Sequence, residues 1–118
     1  MKIDKVKDLL DAEVLCCEEK LDDEVFSACG SDMMSDVLAF VKNQSILLTG
    51  LVNTQTVRTA LMMDMKCIVF VRGKKPDEAI TNLARENSMV VLATPLRMYT
   101  ACGLLYTAGL YTEGCDKV

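Results

Sequence analysis

The stretch "CIVFVRGKKPDEAITNLAREN", Cys67 to Asn87, reads as a strand, a loop and a helix in succession. Cys67 to Val71 is a continuous apolar run, the pattern of a strand covered on both faces of a parallel sheet. Arg72-Gly73-Lys74-Lys75 is a basic turn, and Pro76 suits the first turn of a helix, where a missing N–H costs nothing. Ala79, Ile80, Leu83 and Ala84 then fall on one helical stripe.

The same unit stands on either side of this stretch. "SILLTGLVNTQTVRTALMMD", Ser45 to Asp64, precedes it and "MVVLATPLRMYTACGLLYTAG", Met89 to Gly109, follows, with Ile46, Ile68 and Val90 each 22 residues apart. Asn53 or Thr54 can cap the helix of the first unit, with Val57, Ala60 and Leu61 facing inward. Thr94-Pro95 reads as an N-cap followed by an N1 proline in the third. That last helix is apolar nearly all round, which calls for a second layer or a partner subunit over it.

Upstream, "IDKVKDLL" sets Ile3, Val6 and Leu10 on one stripe, while "AEVLCC" and "EVFSAC" read as short strands joined by "EEKLDD". That link is too short for a parallel crossover, so the two strands are antiparallel or not neighbours. "SDMMSDVLAFVK" places Met34, Val37, Leu38 and Val41 at helical spacing, with Ser31 or Asp32 as its cap. Together these elements predict a layered α/β/α fold with a mostly parallel central sheet. A chain of 118 residues supports one such domain, with a core over about 3–110 and a flexible tail at 111–118.

Composition narrows the function. No apolar run reaches the length of a bilayer span, and "MKIDKVKDLL" is unlike a secretory leader, so a cytoplasmic location is expected. The acidic balance, net charge −4, disfavours nucleic acid as a partner. Residues 1–32 hold ten acids and four bases, whereas 33–118 hold seven acids and nine bases.

The absence of histidine removes Ser-His-Asp and Cys-His catalysis and every histidine-containing metal site. Gly73-Lys74-Lys75 lacks the upstream glycine and the Ser/Thr of a phosphate-binding P-loop. Cys16 and Cys17, adjacent on a strand, point to opposite faces, and no C-x-x-C exists. The six cysteines are therefore read as reduced, mostly buried thiols. No nucleophile with its base can be named, no metal ligand set emerges and no cofactor is implied.

Positive charge does gather. Ligands of open α/β sheets sit beyond the carboxyl ends of the strands, here Thr49-Gly50, Arg72-Gly73 and Thr94. Lys74, Arg97 and Arg58 lie near the same rim, as do Asn53 and Thr54 and three helix N-termini with their partial positive charge. These ten residues form the candidate site for a small anion. Met98, Tyr99, Leu105 and Tyr106 on the last helix are the candidate subunit interface.

The stretches "AEVLCCEEKLDDEV", "SDMMSDVLAFVK" and residues 45–106 together resemble a DRTGG domain over roughly residues 3–110. The family's Asp-Arg falls near Asn53-Thr54 and its Thr-Gly-Gly at Val71-Arg72-Gly73, where only the second glycine is kept. DRTGG domains are similar in fold to the N-terminal, non-catalytic domain of HPr kinase/phosphorylase and occur within phosphotransacetylases and CBS-domain pyrophosphatases. The resemblance thus implies a regulatory or assembly module, not an enzyme, that binds an adenine nucleotide or similar anion at the rim. The other reading is an interaction module without a small ligand. A homodimer is expected, and a separate catalytic protein is the expected partner. Stand-alone members resemble accessory proteins found beside clostridial hydrogenase and redox genes.

Overall fold

The computed structural model describes residues 1–40 and 45–111. Helix α1 (Ile3–Leu9) leads into strand β1 (Glu13–Cys16), a short 3-10 turn and β2 (Ser27–Gly30). Then α2 (Met34–Phe40), β3 (Ser45–Thr49), α3 (Thr54–Met62), β4 (Cys67–Phe70), α4 (Glu78–Glu86), β5 (Val90–Ala93) and α5 (Met98–Thr107) alternate.

The strands form one sheet in the order β1-β5-β4-β3-β2. β2 to β5 run parallel and β1 closes one edge antiparallel to β5. β1 and β2 therefore lie at opposite edges, the second of the two arrangements their short link permits. α3 packs on α2 and α4 over one face, and α1 packs on α5, which rests on β3, over the other. The layered α/β/α architecture is as expected. Every residue of β4 and β5 is buried, which explains why both strands are apolar without alternation.

The interior runs from Ile3, Val6 and Leu10 of the amino-terminal helical segment through Ile46, Leu48, Ile68, Phe70 and Leu92 to Ala101 and Leu105. Gly30 owes its lack of a side chain to this packing, since a Cβ there would stand 2.6 Å from the Cys102 Sγ of α5.

Local chemistry corrects several expectations. α4 begins at Glu78 behind Asp77, whose carboxylate accepts from the Ile80 N–H at 3.0 Å, so Pro76 lies ahead of the helix. α5 begins at Met98 with Arg97 in the cap position, and Thr94-Pro95 belongs to a preceding turn. The Thr94 hydroxyl accepts from the Leu96 N–H and donates to the Leu10 carbonyl at 2.6 Å, which draws it into the core. Leu38 and Ala79 face solvent because α2 and α4 each cover the sheet with a narrower stripe, through Val37 and through Ile80 and Ala84. Val41 lies outside the described residues, as does the expected tail from 112 onward.

Candidate functional site

Four parallel strands bring four turns to one edge, those leaving β2, β3, β4 and β5. Gly50, at the end of β3, is where they meet. Its N–H donates to Asp32 Oδ1 at 2.6 Å, and the same oxygen accepts from the Thr49 hydroxyl at 3.1 Å. Its carbonyl accepts from Lys74 Nζ at 3.1 Å. The Arg72 guanidinium covers its remaining side: a Cβ built on Gly50 would lie 2.5 Å from Nη2.

The turn after β4 holds Arg72 and Gly73 in consecutive left-handed conformations, φ 62° and 70°. Glycine takes that geometry freely, whereas an L side chain is disfavoured by roughly 1–2 kcal/mol. Two bonds across to the β5 turn hold Arg72 there nonetheless: Arg72 N–H to the Leu96 carbonyl at 2.7 Å and Gly73 N–H to that of Thr94 at 2.9 Å. Lys74 N–H closes the turn on the Val71 carbonyl.

Three of the rim's backbone N–H groups are thus occupied. The amides of Gly50, Arg72 and Gly73 already donate within the protein, as the strand-to-turn geometry requires of buried backbone. Thr49 and Thr94 are buried and bonded internally. Asn53 caps α3 by accepting from the Thr56 N–H at 2.9 Å, a contact typically worth about 1 kcal/mol. What remains open to a ligand is side-chain charge.

Arg72, Lys74 and Arg97 are exposed and belong to no ion pair among the described residues. Arg58 is exposed on α3, its Nη1 on the Thr54 hydroxyl at 3.3 Å. Lys75 is instead engaged with Glu13 at 2.9 Å, beside a hollow of about 250 Å³ lined by Asp11, Gly73, Thr94 and Pro95. Sequence reasoning placed Arg72, Gly73 and Lys74 correctly at the rim beside Gly50. Of the two residues offered as the α2 cap, Ser31 accepts from the Met33 N–H, one residue ahead of the helix, and Asp32 turns to Gly50 instead. A β2 parallel to β3 carries Asp32 to the same edge, and only the sheet order reveals it.

The described cysteines are buried or half-buried thiols. Burial pushes the Cys16 thiol up to about 11, with the neighbouring Cys17 adding to it, and burial also raises Cys29, Cys67 and Cys102. All five described cysteines are free, and these four stay protonated near neutrality. Cys17 is a correction: it lies just past β1 at φ 60°, and that left-handed step turns it inward, so both neighbours are buried. Among the described residues no three carboxylates or thiols converge as metal ligands do, and no helix is long and apolar enough to cross a membrane.

The interface candidates divide. Tyr99 is 92% exposed and Tyr106 partly so, while Leu105 is 1% exposed and belongs to the core, the correction following from α5 turning that side onto the sheet. Met98 is half-buried. Beneath α5 a small apolar cavity of about 80 Å³ is bounded by Ala28, Gly30, Leu48, Cys102, Leu105 and Tyr106.

Fold and rim together define a small α/β domain with a cationic edge at the carboxyl ends of its parallel strands. Residues 5–108 match the DRTGG domain, so the chain belongs to the DRTGG domain family, which is a family of regulatory domains. No curated protein matches it. Among solved structures it is similar to the CBS and DRTGG domains of the regulatory region of Clostridium perfringens pyrophosphatase, complexed with the activator diadenosine tetraphosphate. That similarity has a TM-score of 0.73 and 20% sequence identity over 98% of this chain and 52% of the other. At this identity the likeness concerns the fold, and the chain spans about half the length of that relative.

Proposed function

We propose that this domain is a non-catalytic regulatory module that takes up a nucleotide, or another polyphosphate anion, at the Gly50 rim. One observation carries the reading. Arg72 and Lys74, neither of them in an ion pair among the described residues, both converge on Gly50, and Arg72 does so from a backbone conformation that disfavours it. Unfavourable backbone geometry gathered around cations that form no ion pair is characteristic of ligand sites. Arginine and lysine side chains bind phosphate oxygens by charge-assisted hydrogen bonds, which need no free backbone amide. Arg58 and Arg97 extend the basic surface toward α3 and α5. The C. perfringens relative, whose regulatory region binds an adenine dinucleotide, supports a nucleotide as the class of anion.

Calorimetric titration with ATP, ADP, diadenosine tetraphosphate and tripolyphosphate tests this. Binding tighter than millimolar, abolished in the Arg72→Ala/Lys74→Ala double variant, is the expected result. No binding, or a double variant that binds as well as the parent, overturns it.

Exposure on α5 favours a second reading, compatible with the first. From Met98 to Thr107 the helix carries no charge. Tyr99 projects beside an open groove of about 510 Å³ lined by Leu9, Thr100, Gly103, Leu104 and Thr107. A Cβ on Gly103 would meet nothing, so a second helix can approach closely there. Knob and groove on one surface suit a symmetric pair of copies, each tyrosine entering the other's groove. Light scattering of the parent and of Tyr99→Glu decides it: a dimer that the charge dissociates supports the reading, and a monomeric parent removes it. A partner protein acting in trans would then engage the assembled pair.

A further inference from the structure

We infer that Asp32 is the rim's resident counter-anion, occupying the Gly50 amide and opposing ligand entry, so that its neutralisation or displacement opens the site. The inference rests on the rim being the anion site. One carboxylate oxygen, Oδ1, receives both the Gly50 N–H at 2.6 Å and the hydroxyl of the fully buried Thr49 at 3.1 Å. Asp32 itself is exposed, so solvent and solutes reach the carboxylate without any movement of the core.

The amide it holds belongs to the residue that Arg72 and Lys74 also contact. A phosphate oxygen drawn by those two cations arrives where a carboxylate is already the acceptor, and two anions at one donor repel. Loop geometry alone does not require a charge there, because a neutral amide oxygen can accept the same two bonds.

That distinction makes Asp32→Asn the informative variant. It keeps an acceptor for Gly50 and Thr49 while removing the charge. Asp36→Asn on α2 makes the same change in net charge away from these bonds and serves as control. Tripolyphosphate is titrated into the parent and both variants at low ionic strength, with the Gly50 amide resonance followed by NMR. Asp32→Asn is expected to bind at least tenfold tighter than the parent and Asp36→Asn within about twofold, the gain shrinking as salt screens it. In the parent, the Gly50 resonance should move on titration as the carboxylate yields its donor.

If the parent binds while Asp32→Asn binds equally or more weakly, Asp32 is a ligand-positioning or structural group and the inference fails, leaving the rim reading intact. If both variants tighten equally, the effect is bulk charge and the inference again fails. If neither the parent nor Asp32→Asn binds, the rim reading falls and takes the inference with it.

Discussion

Arg72 and Gly50 are complementary across two parallel strands: the guanidinium fills the space that a side chain on residue 50 would need, 2.5 Å from a built Cβ. Gly50→Ala therefore pushes the flexible end of Arg72 outward while leaving the β3 ladder alone. Folding stability should change by less than about 1 kcal/mol, since only a surface side chain moves. Anion affinity should fall severalfold. Urea unfolding and calorimetry on the same sample separate the two effects.

The backbone at Arg72 makes an opposite forecast for stability and binding. Arg72→Gly relieves the left-handed conformation and should raise stability by about 1 kcal/mol. Arg72→Ala keeps the unfavourable φ and should gain nothing. Both lose the cation, so both should bind tripolyphosphate more weakly. A stabilised variant that has lost ligand is the signature expected of a residue kept for function at the expense of fold.

Thr94 predicts the reverse. Its hydroxyl ties the Leu10 carbonyl to the β5 turn at 2.6 Å across 84 residues of sequence. Thr94→Val is nearly isosteric but leaves that buried acceptor and the Leu96 N–H without their partner. The expected cost is about 1–3 kcal/mol, seen as a lower urea midpoint at unchanged slope.

Titration of the buried thiols gives stability a direction at high pH. The Cys16 thiol is raised from 9.0 to about 11 in the folded protein, so between those values the unfolded chain has released a proton that the folded chain retains. Stability contributed by the neutral thiol is complete below pH 9 and is lost as pH rises toward 11, by at most about 1.4 kcal/mol per unit. Cys16→Ala should flatten this part of the profile measured by urea unfolding at pH 8, 9.5 and 10.5.

α5 separates the core from the surface within one helix. Leu105→Ala should cost about 2–5 kcal/mol because it empties buried volume beside an existing cavity. Tyr99→Ala should leave monomer stability within about 0.5 kcal/mol, as exposed sites do. Thermal unfolding of each, at a concentration where light scattering reports monomer, distinguishes them.

The strand-loop-helix units were legible because the strands are buried on both faces, and a fully apolar run between turn residues has few other readings. Their spacing misses the ladder by one residue: Ile46 and Val90 both pair with Cys67, not with Ile68. Helix starts were less legible. Asp77 and Arg97 are the cap residues, and α4 and α5 start two and three residues later than Pro76 and Thr94-Pro95 indicate, because the turns leaving the sheet are longer. The rim's cations could be read from the sequence, since Arg72 and Lys74 directly follow a strand. Asp32 could not, for its role depends on β2 being parallel to β3 at the far edge from β1. The fate of the Arg72 and Gly73 amides was equally hidden, because their acceptors lie in a turn more than twenty residues away.

The antiparallel edge also bears on how the chain comes off the ribosome. β1 is made first, yet its neighbour among the described strands is β5, and Glu13 must wait for Ala93. During synthesis β2, β3 and β4 can add to one another in order, while β1 and the helix before it are held without a ladder until nearly the whole domain has emerged. Such distant pairing has a large loop-closure cost and tends to slow folding. Closure of the sheet is thus expected to be a late event, and a nascent chain stalled before residue 90 exposes two unprotected strand edges to chaperones and to other nascent chains.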